Sequence, residues 1–194
     1  MKGFVVALSL TLLATPSLAG QHFPITGGPH GAEIGEQTCG PKGVIVGFTG
    51  QVGAWLDHIK MKCAQLLPAI PHGSIGHAGR HLGPRFVHQT KIGDSDGGHP
   101  FNFDCPPGSA VTSIYMKINN ELKVIKYMEV ACRAVISQQS VFPRGTIGDR
   151  GPYMAQYSET CPNDEFMYGL NARVWDYPVA LGMRCEKVTL ITSQ

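Results

Sequence analysis

Gly53-Ala54-Trp55-Leu56-Asp57 places an aromatic ring and a carboxylate just past a glycine-rich turn. A buried strand would not want Asp57, and a plain surface hairpin has no need of Trp55. Two further groups of residues have types and spacing suited to chemistry. His72, His77 and His81, followed by His88, stand in a glycine-rich connector. Their spacing suits Zn²⁺ or Cu²⁺ or a response to acid pH, and equally suits solvated loop histidines. Asp94-Ser95-Asp96-Gly97-Gly98 is similar to the opening of a calcium loop but lacks the later ligands and the closing glutamate. Asp94 recurs as Asp149 beside a second Ile-Gly, which points to a repeated turn. Catalytic signals are weaker. There is no G-x-S-x-G and no H-E-x-x-H, and pairing of all six cysteines would leave no thiol nucleophile. A glycosidase carboxylate pair has no local spacing rule and would leave no mark to read. No cofactor is expected.

The elements that must position these residues are strands. Twenty-four glycines, fourteen prolines and only 15% charged residues favour a turn-rich all-β protein, and no long stretch keeps helical periodicity. Residues 1–19 read as a secretory signal peptide: Lys2 precedes an apolar run, Phe4 to Leu13, too short to span a bilayer, and small residues lead to a cleavage point after Ala19. Residues 20–194 suit one domain, expected to be secreted or extracellular, or periplasmic in a bacterial host. The formal net charge of +2 gives no electrostatic case for nucleic acid or an anionic membrane.

Six cysteines in an exported chain imply disulfides. They stand at 39, 63, 105, 132, 161 and 185, and the alternation of short and long gaps reveals three repeats, about 25–66, 92–135 and 147–188. Each repeat runs from a Gly/Asp-rich turn through a short strand to its first cysteine. A Pro-containing turn, an apolar strand, a polar loop and a returning strand follow. The returning strands keep period two to the closing cysteine: Ile59-x-Met61-x-Cys63, Met128-x-Val130-x-Cys132 and Leu181-x-Met183-x-Cys185. Symmetry about a hairpin turn predicts Cys39–Cys63, Cys105–Cys132 and Cys161–Cys185. It places the turns at Gly50–Gly53, Asn119-Asn120 and Asn171–Arg173. A zinc site is the competing use of the cysteines, but no C-x₂-C pair exists.

Three β repeats with threefold pseudosymmetry suit a β-prism or a β-trefoil. The run Gly97 to Gly108, with Gly53-Ala54-Trp55-Leu56-Asp57, resembles the β-prism I family of jacalin-related lectins, and the cysteines within each repeat resemble the vitelline membrane outer layer proteins. The resemblance implies three Greek-key sheets forming the sides of a prism. It also implies a sugar site between a Gly-Gly turn and a G-x-x-x-D loop, here Gly27-Gly28 and Gly53, Ala54, Trp55, Leu56 and Asp57. In the jacalin-like pattern that loop belongs to the final hairpin, whereas here it is in the first repeat.

On this reading Asp57 accepts from two adjacent hydroxyls, the amides of Trp55 and Leu56 donate, and the Trp55 ring stacks on the sugar. Gly28 and Gly53 allow close backbone approach. The structural alternative is that Trp55 caps the core and Asp57 bonds its own turn. The function expected is non-enzymatic glycan binding, with self-association left open. Two alternatives stand beside it, a structural matrix or envelope protein and a secreted enzyme acting on chito-oligosaccharide or peptidoglycan.

Overall fold

Apolar residues at every second position build three long hairpins. The computed structural model describes residues 20–67, 81–149, 151 and 154–188. The signal segment, His72 and His77 lie outside these residues, as does the side chain of His81. The strands are β1 (Thr26–Gly27), β2 (Ala32–Thr38), β3 (Gly43–Val52), β4 (Leu56–Leu67), β5 (His81–Leu82), β6 (Phe86–Val87), β7 (His99–Asp104), β8 (Ser109–Asn119), β9 (Ile125–Ala134), β10 (Ser140–Gly148), β11 (Met154–Thr160), β12 (Glu165–Val174) and β13 (Pro178–Lys187). Among the described residues there is no helix.

The hairpins β3–β4, β8–β9 and β12–β13 are the centres of three antiparallel sheets, ordered β5-β4-β3-β7, β10-β9-β8-β11 and β1-β13-β12-β2, with β6 also on β4. The strand preceding each hairpin pairs with a different hairpin: β2 with β12, β7 with β3, and β11 with β8. Each sheet therefore borrows the strand that leads into another hairpin, the β12–β13 sheet taking β2 from the other end of the described chain, and the three sheets close around a shared core. All nine alternating residues of the returning strands lie in that core, with Ile45, Phe48, Ile114, Met116, Met167 and Leu170 from the outgoing strands. A smaller cluster including Val44, Ala110 and Phe166 lies at the hairpin bases.

The cysteines pair as the spacing predicts: Cys39–Cys63, Cys105–Cys132 and Cys161–Cys185. The geometric reason differs from symmetry about a hairpin. The ladder partners of Cys63, Cys132 and Cys185 are Ile45, Val111 and Met167. Cys39, Cys105 and Cys161 instead follow the borrowed strands, so every disulfide joins two sheets.

The same irregularity marks all three hairpins. The pairing shifts between Ile45 and Gly47, between Val111 and Ser113, and between Met167 and Gly169, leaving Val46, Thr112 and Tyr168 as the bulged residues. Their carbonyls accept from the amides of Cys105, Cys161 and Cys39 at 2.8 Å each. The bulge thus receives the end of the borrowed strand, and the disulfide continues from that point to the next sheet.

The turns also move. The first tip is 53–55 and the third is 175–177, later than the midpoints of the cysteine pairs, because the first cysteine of each pair precedes its hairpin. The second turn, 120–124, is displaced by a similar amount.

Candidate functional site

At the hairpin tips, three glycine turns meet the starts of the three returning strands. Gly27, Gly93 and Gly148 all have positive φ (139°, 92° and 83°), where a side chain is strained. A Cβ at these positions would press on the carbonyls of Val179, Asp57 and Lys126 respectively. Those three residues are the second positions of β13, β4 and β9, so they are one place seen three times. Only the first hairpin puts a carboxylate there.

Asp57 is buried, at 5% exposure. Its Oδ1 accepts from the Ser95 hydroxyl at 3.3 Å, while Oδ2 is shielded from solvent and, among the described residues, has no donor. Above it lies Gly98, where any side-chain carbon would collide with Oδ2 and with the backbone of Val52 and Gly53. The surrounding turn is pinned from two sides. His58 Nδ1 lies 2.9 Å from the Ser95 carbonyl and 3.1 Å from Asp96 Oδ1, and the amides of Asp94 and Ser95 donate to the Asp176 carbonyl at 2.9 and 3.2 Å. Lys91 Nζ reaches Asp96 at 3.3 Å. Of the two aspartates of the calcium-like stretch, Asp96 is engaged through its carboxylate by His58 and Lys91, and Asp94 through its main chain by Asp176 and Lys91. Among the described residues no three His, Cys, Asp or Glu side chains converge as a metal site.

The expected glycine pair is elsewhere. Gly28 is buried, donates its amide to the Val179 carbonyl at 2.7 Å, and accepts from Arg173 at 3.1 Å. A Cβ there would strike Lys123. The structure therefore sets Gly27-Gly28 against the third hairpin, not against Asp57. The glycine turn facing Asp57 is Gly97-Gly98, from the second repeat. Sequence reasoning saw both glycine pairs, but joined the first one to Asp57 because nothing in the sequence announces that strands are exchanged between sheets. Ser95 and His58 were also missed, and neither carries a local motif.

Trp55 is half-buried rather than a free platform. It packs on the small cluster of Val124, Val179 and Ala180 beside Ile25 and Tyr177, and Lys126 Nζ sits 6.0 Å from its ring centroid. Leu56 points into the main core at 1% exposure. Gly53 and Ala54 are exposed at the tip, where the Gly53 amide donates to the Trp55 carbonyl at 2.9 Å. Among the described residues the amides of Ala54 and Trp55 donate to no backbone carbonyl.

No family model and no curated protein matches the sequence. Solved structures do match. Malaysian banana lectin superposes with a TM-score of 0.55 at 14% identity, covering 88% of this chain and 100% of its own. A mannose-binding jacalin-related lectin from Ananas comosus gives 0.56 at 12% identity over 87% and 99%. A mannose-specific jacalin-related lectin from Morus nigra, solved with mannose, gives 0.53 at 13% identity over 90% and 99%. At such identities the likeness speaks for the fold: the chain has the β-prism fold of the jacalin-related lectins.

Proposed function

We propose that this protein is a secreted, non-enzymatic carbohydrate-binding protein that holds a sugar at the Asp57 loop, with Gly97-Gly98 as the facing turn. The observation that carries the reading is the Asp57 carboxylate, buried with one oxygen unpartnered beneath a glycine. Leaving a buried polar oxygen without a donor costs on the order of 1–3 kcal/mol. Vicinal sugar hydroxyls would supply that donor, and the amides of Ala54 and Trp55 would add others at the tip. Because Oδ2 lies under Gly98, the Asp96–Gly98 turn must move aside as the hydroxyl enters. Two of the structural neighbours are described as binding mannose, which makes mannosides the first sugars to try. The three disulfides are compatible with an oxidising, extracellular setting.

The competing reading makes Asp57 a turn anchor through Ser95. Asp57→Asn separates the two, because the amide keeps an acceptor for Ser95 but cannot accept from two hydroxyls together. On a broad glycan array, the proposal expects binding by the native protein and at least a tenfold loss in the folded Asn variant. Undiminished binding would move the site. Absence of binding to any glycan by the native protein would favour an architectural role.

A further inference from the structure

The sheet β10-β9-β8-β11 carries on its solvent face a cavity of about 540 Å³ that the Asp57 site does not use. Among the described residues its charged lining is Lys117, Arg133 and Arg144 with one carboxylate, Glu129. The outer face of the sheet β1-β13-β12-β2 is arranged differently: Arg173 meets Glu33 at 2.7 Å and Arg184 meets Glu36 at 3.6 Å, one acid for each arginine. Among the described lining residues of the groove the cations outnumber the carboxylates by two, whatever pairs they form.

Its shape follows from the strands. Lys117 and Ser113 stand four residues apart on β8, roughly 13 Å at the usual rise of a strand, with Tyr115 between them on the same face. Across the ladder Tyr115 faces Glu129, and on the other side it faces Ser158, as Ser113 faces Thr160. The shift in pairing between Val141 and Gly145 presents Arg144 at the flank, 57% exposed at its side chain and 3.1 Å from Glu129. Tyr127, buried at 2% exposure, stacks edge-on to Tyr115, with ring centroids 6.3 Å apart, and Lys117 Nζ lies 5.9 Å from the Tyr127 ring, so Tyr115 is the ring a ligand would meet.

Cations along a trough, a row of hydroxyls and an aromatic edge suit a ligand that is both anionic and rich in hydroxyls. The main-chain groups of the two inner strands are taken up by ladders on both sides, so an extended peptide laid on this face would find no backbone partner. We propose that this groove is a second binding site, separate from the Asp57 loop, for acidic saccharide chains bearing carboxylate or sulfate groups.

The test is titration calorimetry of the full protein with a uronate oligosaccharide, a sulfated dextran, neutral dextran and polyglutamate, at two salt concentrations. The expected result is binding of one or both acidic saccharides that weakens with salt, and no binding of neutral dextran. The two acidic probes distinguish carboxylate from sulfate recognition. Lys117→Ala and Arg144→Ala should each weaken binding about fivefold or more, Glu129→Gln should tighten it, and Asp57→Asn should leave it unchanged. The opposite sign for Glu129→Gln separates charge recognition from a folding defect, and thermal melts of each variant confirm folding. Failure of the native protein to bind either acidic saccharide would overturn the proposal, as would polyglutamate binding equally well, or binding indifferent to Lys117→Ala and Arg144→Ala.

Discussion

Glu159 shows how a single buried carboxylate can hold two sheets together and still cost stability. It sits on β11 at 6% exposure, and its Oε1 and Oε2 accept from the Thr26 hydroxyl and the Met183 amide, both at 2.9 Å, in the sheet that contains β1 and β13. Burial pushes its carboxyl above the ordinary glutamate range, and the bonds from Met183 and Thr26, with the nearby Arg184 charge, offset only part of this. A raised acid binds its proton more tightly when folded. Its contribution to stability is therefore present below the ordinary value of about 4.5 and is lost as pH rises through the higher folded value.

Glu159→Gln removes the titration; its one carbonyl oxygen can accept from the Met183 amide while its NH₂, in place of Oε1, donates to the Thr26 hydroxyl oxygen. Its stability relative to the native protein should thus grow between pH 4 and 7 in denaturant melts. Glu159→Ala leaves the Met183 amide unpaired and should cost about 1–3 kcal/mol. Asp104 behaves in the opposite sense. Partial burial pushes its carboxyl up, but Lys62 at 2.6 Å and Arg85 at 2.8 Å together outweigh that effect and hold it below the usual range. Its contribution is present at neutral pH and fades as acid protonates it. At Gly98, Ala would drive a carbon into Asp57 Oδ2. Gly98→Ala should lower both glycan binding and thermal stability, while Gly97→Ala, at an exposed position with only a Ser95 Oγ contact at 3.9 Å, should change stability little.

At the scale of elements, the returning strands were legible because period two is written directly in Ile59-x-Met61-x-Cys63 and its counterparts. The tips were not, because the midpoint of a cysteine pair marks a turn only when the two cysteines share a ladder. Cys39 follows a borrowed strand and donates its amide to the carbonyl of Tyr168, far away in sequence. The same blindness joined Asp57 to Gly27-Gly28, which the fold sets against the third hairpin: a motif shows which residues are suited to a site but not which stretch of chain will face them. Replacing Cys39 and Cys63 together by Ala should cost about 3 kcal/mol by chain entropy, measured as a lower denaturant midpoint. Since that bond joins two sheets, amide exchange should quicken in both β2 and β4 rather than in one hairpin. Gly145 offers a further check between elements, because a Cβ there would collide with the ring of Phe103 on β7 of the neighbouring sheet. Gly145→Val should destabilise by about 1–3 kcal/mol through overpacking.

For the whole molecule, the three tip positions are alike in backbone and unlike in side chain: Asp57, Lys126 and Val179 stand at one place in three hairpins. The fold supplies three equivalent backbone stations, and the side chains make them chemically distinct, which is why likeness of fold and choice of ligand are separate questions. The exchange of strands has a further consequence for how the molecule is made. The sheet holding β1 and β2 also holds β12 and β13, the first and last strands of the described chain. As synthesis proceeds from the N-terminus, β1 and β2 emerge early and wait with open edges until nearly all of the chain has followed. Closure of the prism is thus a late event that depends on contacts distant in sequence, which slow folding. Until then the nascent protein exposes the kind of unpaired edge that invites association with other chains.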